Sequence, residues 1–277
     1  MTGPYAAPPK LSASFPVGPN GPLFVLEIAS ISAAPRATVL LMPPFAEEMN
    51  RSRYMLAQTG RALARQGFRV LLADPSSTGD SAGDFEQASW DRWIADLSFL
   101  RDMARLDTEP LWIGGVRTGA LLAATLAHQE PDGIDGLLMI QPVLSGKRFL
   151  TQFLRLRVAA AMNRGQREST AQLMEILKNG ESVSVTGYPL GPDMAEQLTR
   201  LSLKDMPPPP DLPIEWIEIG SDERETDAIA DILPPSWRTA DRQARYHQDQ
   251  AFWALPEPVA PPKIIALIQT ALMSHHP

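Results

Sequence analysis

The stretch Leu111-Trp-Ile-Gly-Gly-Val-Arg-Thr-Gly119 joins an apolar run to a turn with glycine on both sides of Arg117. Residues 120–127 follow at once and have the composition of a buried helix. Glycines flank such a turn where larger side chains would collide with the neighbouring strand and helix. The stretch therefore predicts a strand, a sharp turn centred on Arg117 and a helix.

Other apolar runs repeat this alternation along the chain. The helix predicted at 90–104 carries an apolar stripe at three- and four-residue spacing, and Ser89 precedes it as an N-cap. Alternating strands and helices are typical of a parallel sheet covered by helices. The further predicted strands are 37–42, 68–73, 136–140 and 213–219, and the further helices are about 54–66 and 261–272.

Two segments depart from the alternation. Residues 10–29 form two extended stretches separated by Gly18-Pro-Asn-Gly-Pro22, which predicts a turn between antiparallel strands. Residues 145–206 show helical patterns and a short strand candidate at 183–188, so we predict a cap inserted within a single domain of residues 1–277. The predicted fold class is α/β: an α/β-hydrolase fold with a mostly parallel central sheet, N-terminal antiparallel strands and a helical cap insertion.

Composition excludes several kinds of chemistry. The 277 residues include no cysteine and four histidines, so we expect no metal site. The sequence has no glycine-rich phosphate fingerprint of the P-loop or dinucleotide type, so we expect no cofactor. A net charge of −7 argues against nucleic-acid binding, which depends on Lys and Arg neutralising phosphates. The first residues lack the basic and apolar regions of an export signal, and a cytoplasmic location is expected.

Arg117 occupies the position that holds the nucleophile in hydrolases of this fold. A guanidinium stays protonated in proteins and cannot attack a carbonyl carbon. The hydroxyl of Thr118 would begin the helix and point elsewhere. The ordinary acyl-enzyme route, which needs an activated oxygen or sulfur at this point, is therefore excluded.

Two loops follow core strands, at the edge where open α/β sheets bind ligands. Residues 42–50 come where hydrolases supply an amide to the oxyanion hole, and residues 74–84 form a turn-rich loop beside them. Turn loops also favour serine for backbone reasons alone, so a purely structural role is the competing interpretation of Ser81. The candidate ligand-binding residues are Phe45, Glu47, Glu48, Ser81, Arg117 and Thr118.

The other members of a catalytic triad have candidates in the required chain order. Asp222 follows the strand predicted at 213–219, and His247 lies near the last loop, a few residues before Phe252. The candidate catalytic residues are thus Arg117, Asp222 and His247. The competing interpretations are that Asp222 is a solvated carboxylate and that His247 is a structural histidine, hydrogen-bonded in a strand or loop. His275 and His276, at the C-terminal end, are expected to be disordered.

Six motifs carry a family resemblance: Pro43-Pro-Phe-Ala-Glu-Glu-Met-Asn-Arg-Ser-Arg53, Gly79-Asp-Ser-Ala-Gly-Asp-Phe85, Gly115-Val-Arg-Thr-Gly-Ala-Leu-Leu-Ala123, Gln141-Pro-Val-Leu-Ser-Gly146, Thr151-Gln-Phe-Leu-Arg-Leu-Arg157 and Phe252-Trp253. Together, over most of residues 36–272, they resemble the type 2 exosortase A system-associated hydrolases. The resemblance implies a Gram-negative cytoplasmic protein associated with exopolysaccharide production and PEP-CTERM protein sorting. It also implies that arginine at the elbow is a family feature, whereas Thr78 stands where the family tends to have cysteine.

A guanidinium beside a helix N-terminus needs a counter-charge when it is partly buried. If Glu47 or Glu48 supplies it, the elbow holds an internal ion pair; otherwise it is a pocket for a carboxylate, phosphate or sulfate. Two functions stay open. The chain is an unorthodox or inactive hydrolase that binds an anionic ligand or a protein of the exopolysaccharide and sorting machinery, or an active hydrolase of an ester, thioester or acylated glycan.

One stretch of the predicted cap is strongly basic and also carries apolar side chains. A basic amphipathic helix can contact anionic lipid, an acidic polysaccharide or a protein partner. A solvated helix face with arginines outward is the competing interpretation. The basic residues, with no acidic residue before Glu168, are Lys147, Arg148, Arg155, Arg157, Arg164 and Arg167.

Overall fold

The computed structural model describes residues 8–106, 109–223, 232–238 and 242–276. The strands, in chain order, are β1 (Leu11–Ser14), β2 (Val17–Gly18), β3 (Gly21–Pro22), β4 (Val25–Ile28), β5 (Thr38–Met42), β6 (Arg69–Ala73), β7 (Leu111–Val116), β8 (Gly136–Ile140), β9 (Val183–Val185), β10 (Tyr188–Leu190), β11 (Ile214–Gly220) and β12 (Arg242–Gln248). The helices are α1 (Glu47–Arg65), α2 (Trp90–Ala104), α3 (Thr118–Gln129), α4 (Gly146–Asn163), α5 (Thr170–Lys178), α6 (Pro192–Arg200) and α7 (Pro262–His275).

The centre of the molecule is an eight-stranded sheet with the order β1-β4-β6-β5-β7-β8-β11-β12. Its last six strands pair in parallel, while β4 is antiparallel to β6 and β1 is antiparallel to β4. Every residue of β5, β7 and β8 is buried, as expected for parallel strands covered on both faces. The predicted fold class, including the N-terminal antiparallel strands, is confirmed.

Each face of the sheet has its own hydrophobic core. Along β5 the side chains alternate, so that Leu40 packs on one face and Val39 and Leu41 pack on the other. The Leu40 face is covered by α2, α3 and the helices of 146–200, and the opposite face by α1 and α7. The Ser89 hydroxyl accepts a hydrogen bond from the backbone N–H of Arg92 at 3.3 Å and caps α2 as predicted.

Segment 146–205 contains three helices and a hairpin, packed on the same face as α2 and α3. The strand candidate at 183–188 is two strands, β9 and β10, because the chain turns back at Thr186 and Gly187, where φ is 50° and 92°. The division into a core and an inserted cap at 145–206 stays a prediction. Among the described residues, no helix combines the length and apolarity needed to cross a bilayer.

The edge strand β12 and the C-terminal end of α7 also differ from expectation. β12 was not predicted, and it contains His247. The expectation that His275 is disordered is wrong, since its Nε2 lies 2.9 Å from Oε1 of the fully buried Glu215. Glu215 also accepts a hydrogen bond from Nε of Arg245 at 2.9 Å, so β11, β12 and α7 are joined at this end.

Candidate functional site

The elbow is the turn between β7 and α3, and its backbone is strained. Arg117 caps α3 with φ 57° and ψ −113°, a region that residues other than glycine rarely adopt and that costs about 1–3 kcal/mol. Its N–H donates to the carbonyl of Ile140 at 2.9 Å, and its carbonyl accepts from the N–H of Val143 at 3.2 Å. These two bonds fix the turn and project the Arg117 side chain from a rigid base.

Two glycines allow this turn to lie against the end of β5. A Cβ on Gly115 would lie 2.5 Å from the carbonyl oxygen of Met42, and one on Gly119 would lie 2.3 Å from the same atom. Any larger residue at either position would push the elbow off the neighbouring strand. The packing reason predicted for these glycines is therefore confirmed.

A second strained turn lies beside the elbow, at the end of β5. Ala46 caps α1 with φ 51° and ψ −124°, close to the conformation of Arg117. Because α1 begins at Glu47 rather than near Tyr54 as predicted, both Glu47 and Glu48 lie in its first turn. Negative charge is stabilised there by the helix dipole. The two adjacent strand-to-helix turns thus bring the start of α1 to the elbow.

Arg117 forms a bidentate ion pair with Glu48. Its Nε is 3.3 Å from Glu48 Oε2 and its Nη2 is 3.4 Å from Glu48 Oε1. Glu47 points elsewhere and pairs with Arg51 at 3.3 Å, one helical turn along α1. The guanidinium also lies over the ring of Trp253, 5.3 Å from its centroid. Of the two arrangements considered from the sequence, the structure contains the ion pair, and its partner is Glu48.

A cavity of about 250 Å³ opens at this ion pair. Its wall is mainly aromatic: the ring of Phe45 meets the edges of Phe149 and Phe153 at centroid distances of 5.7 and 5.2 Å. Two acidic and two basic side chains line it, so the cavity is balanced in charge. The lining residues are Phe45, Glu47, Glu48, Arg51, Arg117, Phe149, Gln152, Phe153, Leu156, Thr186, Trp253 and Ala254.

The ion pair leaves part of each partner available. Arg117 uses Nε and Nη2 for Glu48, and Nη1 has no hydrogen-bond partner among the described residues. Burial raises the pKa of the Glu48 carboxyl, outweighing the opposing attraction of Arg117 and Arg51. The site therefore offers an unused donor next to a carboxylate that is prone to take up a proton.

A comparison with known protein families identifies the family of this chain. Residues 33–185 match the family model Hydrolase_4, serine aminopeptidase S33. The chain belongs to the S33 serine aminopeptidase family. No functionally curated sequence is similar enough to count as a match. The elbow of this S33 family member nevertheless carries arginine in place of serine.

Several solved structures share the fold. An α/β serine hydrolase without lid from Xanthomonas campestris is 17% identical, with 98% of this chain and 97% of that chain covered and a TM-score of 0.60. A thermostable carboxyl esterase from Bacillus coagulans is 15% identical, with 96% and 97% covered and a TM-score of 0.63. The ferulic acid complex of Est1E from Butyrivibrio proteoclasticus is 14% identical, with 92% and 95% covered and a TM-score of 0.61.

The structure does not bring Asp222 or His247 to the cavity of this S33 member. Asp222 is exposed after β11, and its carbonyl accepts a hydrogen bond from the Tyr246 hydroxyl. His247 lies within β12 with a buried Nε2, 3.8 Å from the Asp249 carboxylate. Among the described residues lining the cavity there is no serine, cysteine or histidine. The described residues therefore assemble no catalytic triad at Arg117.

Ser81 and Thr118 also lie outside the cavity. The Ser81 hydroxyl donates to the carbonyl of Asp74 at 2.6 Å and accepts from the N–H of Phe24 at 2.8 Å, so it fastens the loop after β6. Thr118 begins α3 as expected, and its buried hydroxyl has no partner within the described part of the chain. Phe45, Glu47, Glu48 and Arg117 are the predicted ligand-binding residues that line the cavity.

Sequence reasoning missed three aromatic members of the wall. Phe149 and Phe153 are four residues apart on α4 and share a helix face, with their rings stacked at 6.5 Å. Trp253 belongs to the Phe252-Trp253 motif, which follows β12, and it lines the cavity. In the described residues, no group of three or more histidine, aspartate or glutamate side chains is arranged to bind a metal.

Proposed function

We propose that this S33 family member binds a small amphipathic carboxylate at its elbow, and that Arg117 anchors the ligand where a serine would attack it. The observation that carries the proposal is the bidentate Arg117–Glu48 pair, which faces an aromatic cavity and leaves Nη1 of Arg117 unused. A planar guanidinium matches the geometry of a carboxylate better than any other side chain.

Size and wall chemistry define the ligand further. At about 250 Å³ the cavity is slightly smaller than the roughly 300–1,000 Å³ of pockets for drug-sized ligands, so the ligand is small. Phe45, Phe149, Phe153, Leu156 and Trp253 favour an acyl or aryl body over a sugar ring. One polar group, held by Arg117, then fixes the orientation of an otherwise apolar molecule.

Charge balance requires a proton when an anion binds. The Arg117 charge is already neutralised by Glu48, so a second carboxylate would leave the site with an excess negative charge. The pKa of Glu48 is raised by burial, and a nearby anion raises it further. Glu48 therefore takes up a proton as the ligand carboxylate arrives, and the guanidinium exchanges part of its contact with Glu48 for the ligand.

The proposed setting is the exosortase A and exopolysaccharide system, with a cytoplasmic location. Its support is the sequence resemblance to the type 2 hydrolases of that system, in which arginine stands at the elbow. In that setting the proposed ligand is an acyl compound, and the proposed partner is a protein of the exopolysaccharide and sorting machinery.

Calorimetric titration with octanoate tests the proposal. Wild-type protein should bind octanoate, and Arg117→Gln should weaken binding at least tenfold, about 1.4 kcal/mol, because a charge-assisted hydrogen bond is lost. Arg157→Gln is the matched control, since Arg157 forms a bidentate pair with Glu168 away from the cavity. Equal affinity in all three proteins, or no binding by the wild type, would refute the anchoring role.

The raised pKa of Glu48 favours a second candidate function, an unorthodox hydrolase of an ester, thioester or acylated glycan. A carboxylate of this kind can act as a general base on water beside an ester held by Arg117. A panel of p-nitrophenyl esters tests it: turnover above background that disappears in Glu48→Gln would support hydrolysis. Background rates in both proteins would exclude it.

A further inference from the structure

We infer that the exposed side of α4 docks on an anionic lipid bilayer. This surface, the α4 face, consists of exposed residues at three- and four-residue spacing: Arg148, Gln152, Arg155, Leu156, Ala159 and Met162. The same helix packs its other sides against the core through buried residues such as Leu150 and Leu154. The α4 face is thus a rigid surface held from behind, not a detached segment.

The charge of this region is opposite to that of the remaining chain. Residues 147–167 hold six of the 25 basic residues and no acidic residue. The remaining 19 basic and 32 acidic residues give the other parts of the chain a formal charge of −13. An anionic surface therefore attracts α4 and repels most other faces, which orients the molecule as it approaches.

The arginines of the α4 face are not used in ion pairs within the structure. In the described residues Arg157 is paired with Glu168, whereas Arg148 and Arg155 have neither an ion-pair nor a side-chain hydrogen-bond partner. Both are exposed and flank the apolar residues of the face. Their guanidinium groups are therefore available to lipid phosphates.

Exposed apolar side chains distinguish a bilayer from a polysaccharide. Met162 is 71% exposed and Leu156 is 47% exposed, and both lie between or beside arginines on the same face. An acidic glycan would gain nothing from these side chains. A bilayer offers acyl chains to them and phosphates to the arginines, which is the pattern of helices that lie in the membrane interface.

The α4 face also borders the mouth of the cavity. Gln152 and Leu156 belong to the face and line the cavity at the same time. Docking would therefore set the cavity opening at the bilayer surface, where an acyl ligand can pass from lipid to protein. This last step rests on the proposed function, whereas the docking itself does not depend on it.

Vesicle sedimentation tests the docking. The probes are vesicles of phosphatidylcholine alone and of equal parts phosphatidylcholine and phosphatidylglycerol. Wild-type protein should sediment with the anionic vesicles only, and high salt should release it because exposed charges are screened. Arg148→Glu with Arg155→Glu should lower the vesicle partition coefficient at least tenfold. Lys10→Glu with Lys263→Glu, two exposed cations outside α4, changes the net charge equally and should leave the partition coefficient within twofold of wild type.

A second pair of variants tests the apolar contact. Met162→Asp should weaken vesicle binding at least threefold, and Val17→Asp, at a side chain 74% exposed on β2, should not. Arg117→Gln should bind vesicles like the wild type even where it fails to bind octanoate, which separates the two proposals. Absence of binding to anionic vesicles, equal loss in both charge-reversal pairs, or binding to soluble alginate that outcompetes the vesicles would overturn the inference.

Discussion

The guanidinium of Arg117 lies over the ring of Trp253, with 5.3 Å between the guanidinium carbon and the ring centroid. In hydrolases of this fold the elbow carries the nucleophile and the last loop carries the histidine that activates it. Here those two places hold a cation and an aromatic face, which attract each other. The two parts of the chain still meet as in an enzyme, but the contact stabilises a positive charge instead of generating a nucleophile.

Replacing Arg117 with alanine should destabilise the protein in a pH-dependent way. Glu48 is partly buried and would lose its partner, which should cost towards the lower end of about 1–3 kcal/mol. Burial already raises the pKa of Glu48, and removing Arg117 raises it further. The folded chain then keeps this proton to higher pH than the unfolded chain, so its free energy of unfolding falls as pH rises through that window.

Urea denaturation of Arg117→Ala and wild type at about pH 5 and about pH 8 checks this prediction. The difference in free energy of unfolding between the two proteins should be larger at the higher pH. Arg157→Ala is the control. Its partner Glu168 is partly exposed to solvent, and Arg157 lowers the pKa of the Glu168 carboxyl. An Arg117→Ala deficit that is the same at both pH values would contradict the account of Glu48.

Octanoate affinity should increase as pH falls. Because binding is coupled to proton uptake by Glu48, each pH unit above the pKa of Glu48 should cost up to about tenfold in affinity. Glu48→Gln cannot take up the proton and should bind octanoate with little dependence on pH. Methyl octanoate, which brings no charge, should also show a flat profile with the wild type. A flat profile for octanoate itself would rule out the coupling.

Restoring serine at the elbow should not restore an esterase. Arg117→Ser supplies a hydroxyl, but no histidine lines the cavity among the described residues, so the hydroxyl stays protonated. We expect p-nitrophenyl ester hydrolysis at background and no labelling by a fluorophosphonate, a reagent for activated serines. Rapid labelling of Arg117→Ser that is absent from the wild type would show that a base reaches the elbow after all.

Arg245 should matter for stability and not for ligand binding. The Glu215 carboxylate is fully buried and accepts from Arg245, Ser274 and His275 at the end of the sheet away from the elbow. Arg245→Ala leaves this charge short of a partner and should cost about 3 kcal/mol. Arg200→Ala, which breaks an exposed pair with Glu196 on α6, should cost less than about 1 kcal/mol. If urea denaturation showed similar losses of unfolding free energy in both variants, the larger cost assigned to the buried Glu215 would be contradicted.

The parallel core was predictable because its strands are continuous apolar runs. β12 has no such run and was therefore not predicted. β12 reads Arg-Gln-Ala-Arg-Tyr-His-Gln and lies at the edge of the sheet, where most of its side chains are only half buried. An edge strand needs no long apolar run, since one side meets solvent. Without β12, the sequence placed His247 only near the last loop.

The sequence limited the ion-pair partner of Arg117 to Glu47 or Glu48 but could not decide between them. The choice depends on where α1 begins. With the helix starting at Glu47, that residue faces Arg51 one turn later, and Glu48 is rotated towards Arg117. The strained turn at Ala46, which sets this start, has no sequence signal, because alanine has no preference for positive φ.

A crystal structure of the wild-type protein with octanoate tests the central claim most directly. The account predicts both carboxylate oxygens beside Arg117, at least one of them about 2.7–3.2 Å from Nη1, with the alkyl chain between Phe45 and Phe153. Glu48 should keep only one of its two contacts with the guanidinium. A cavity without octanoate in crystals grown at a saturating concentration, or octanoate bound with its carboxylate away from Arg117, would contradict it.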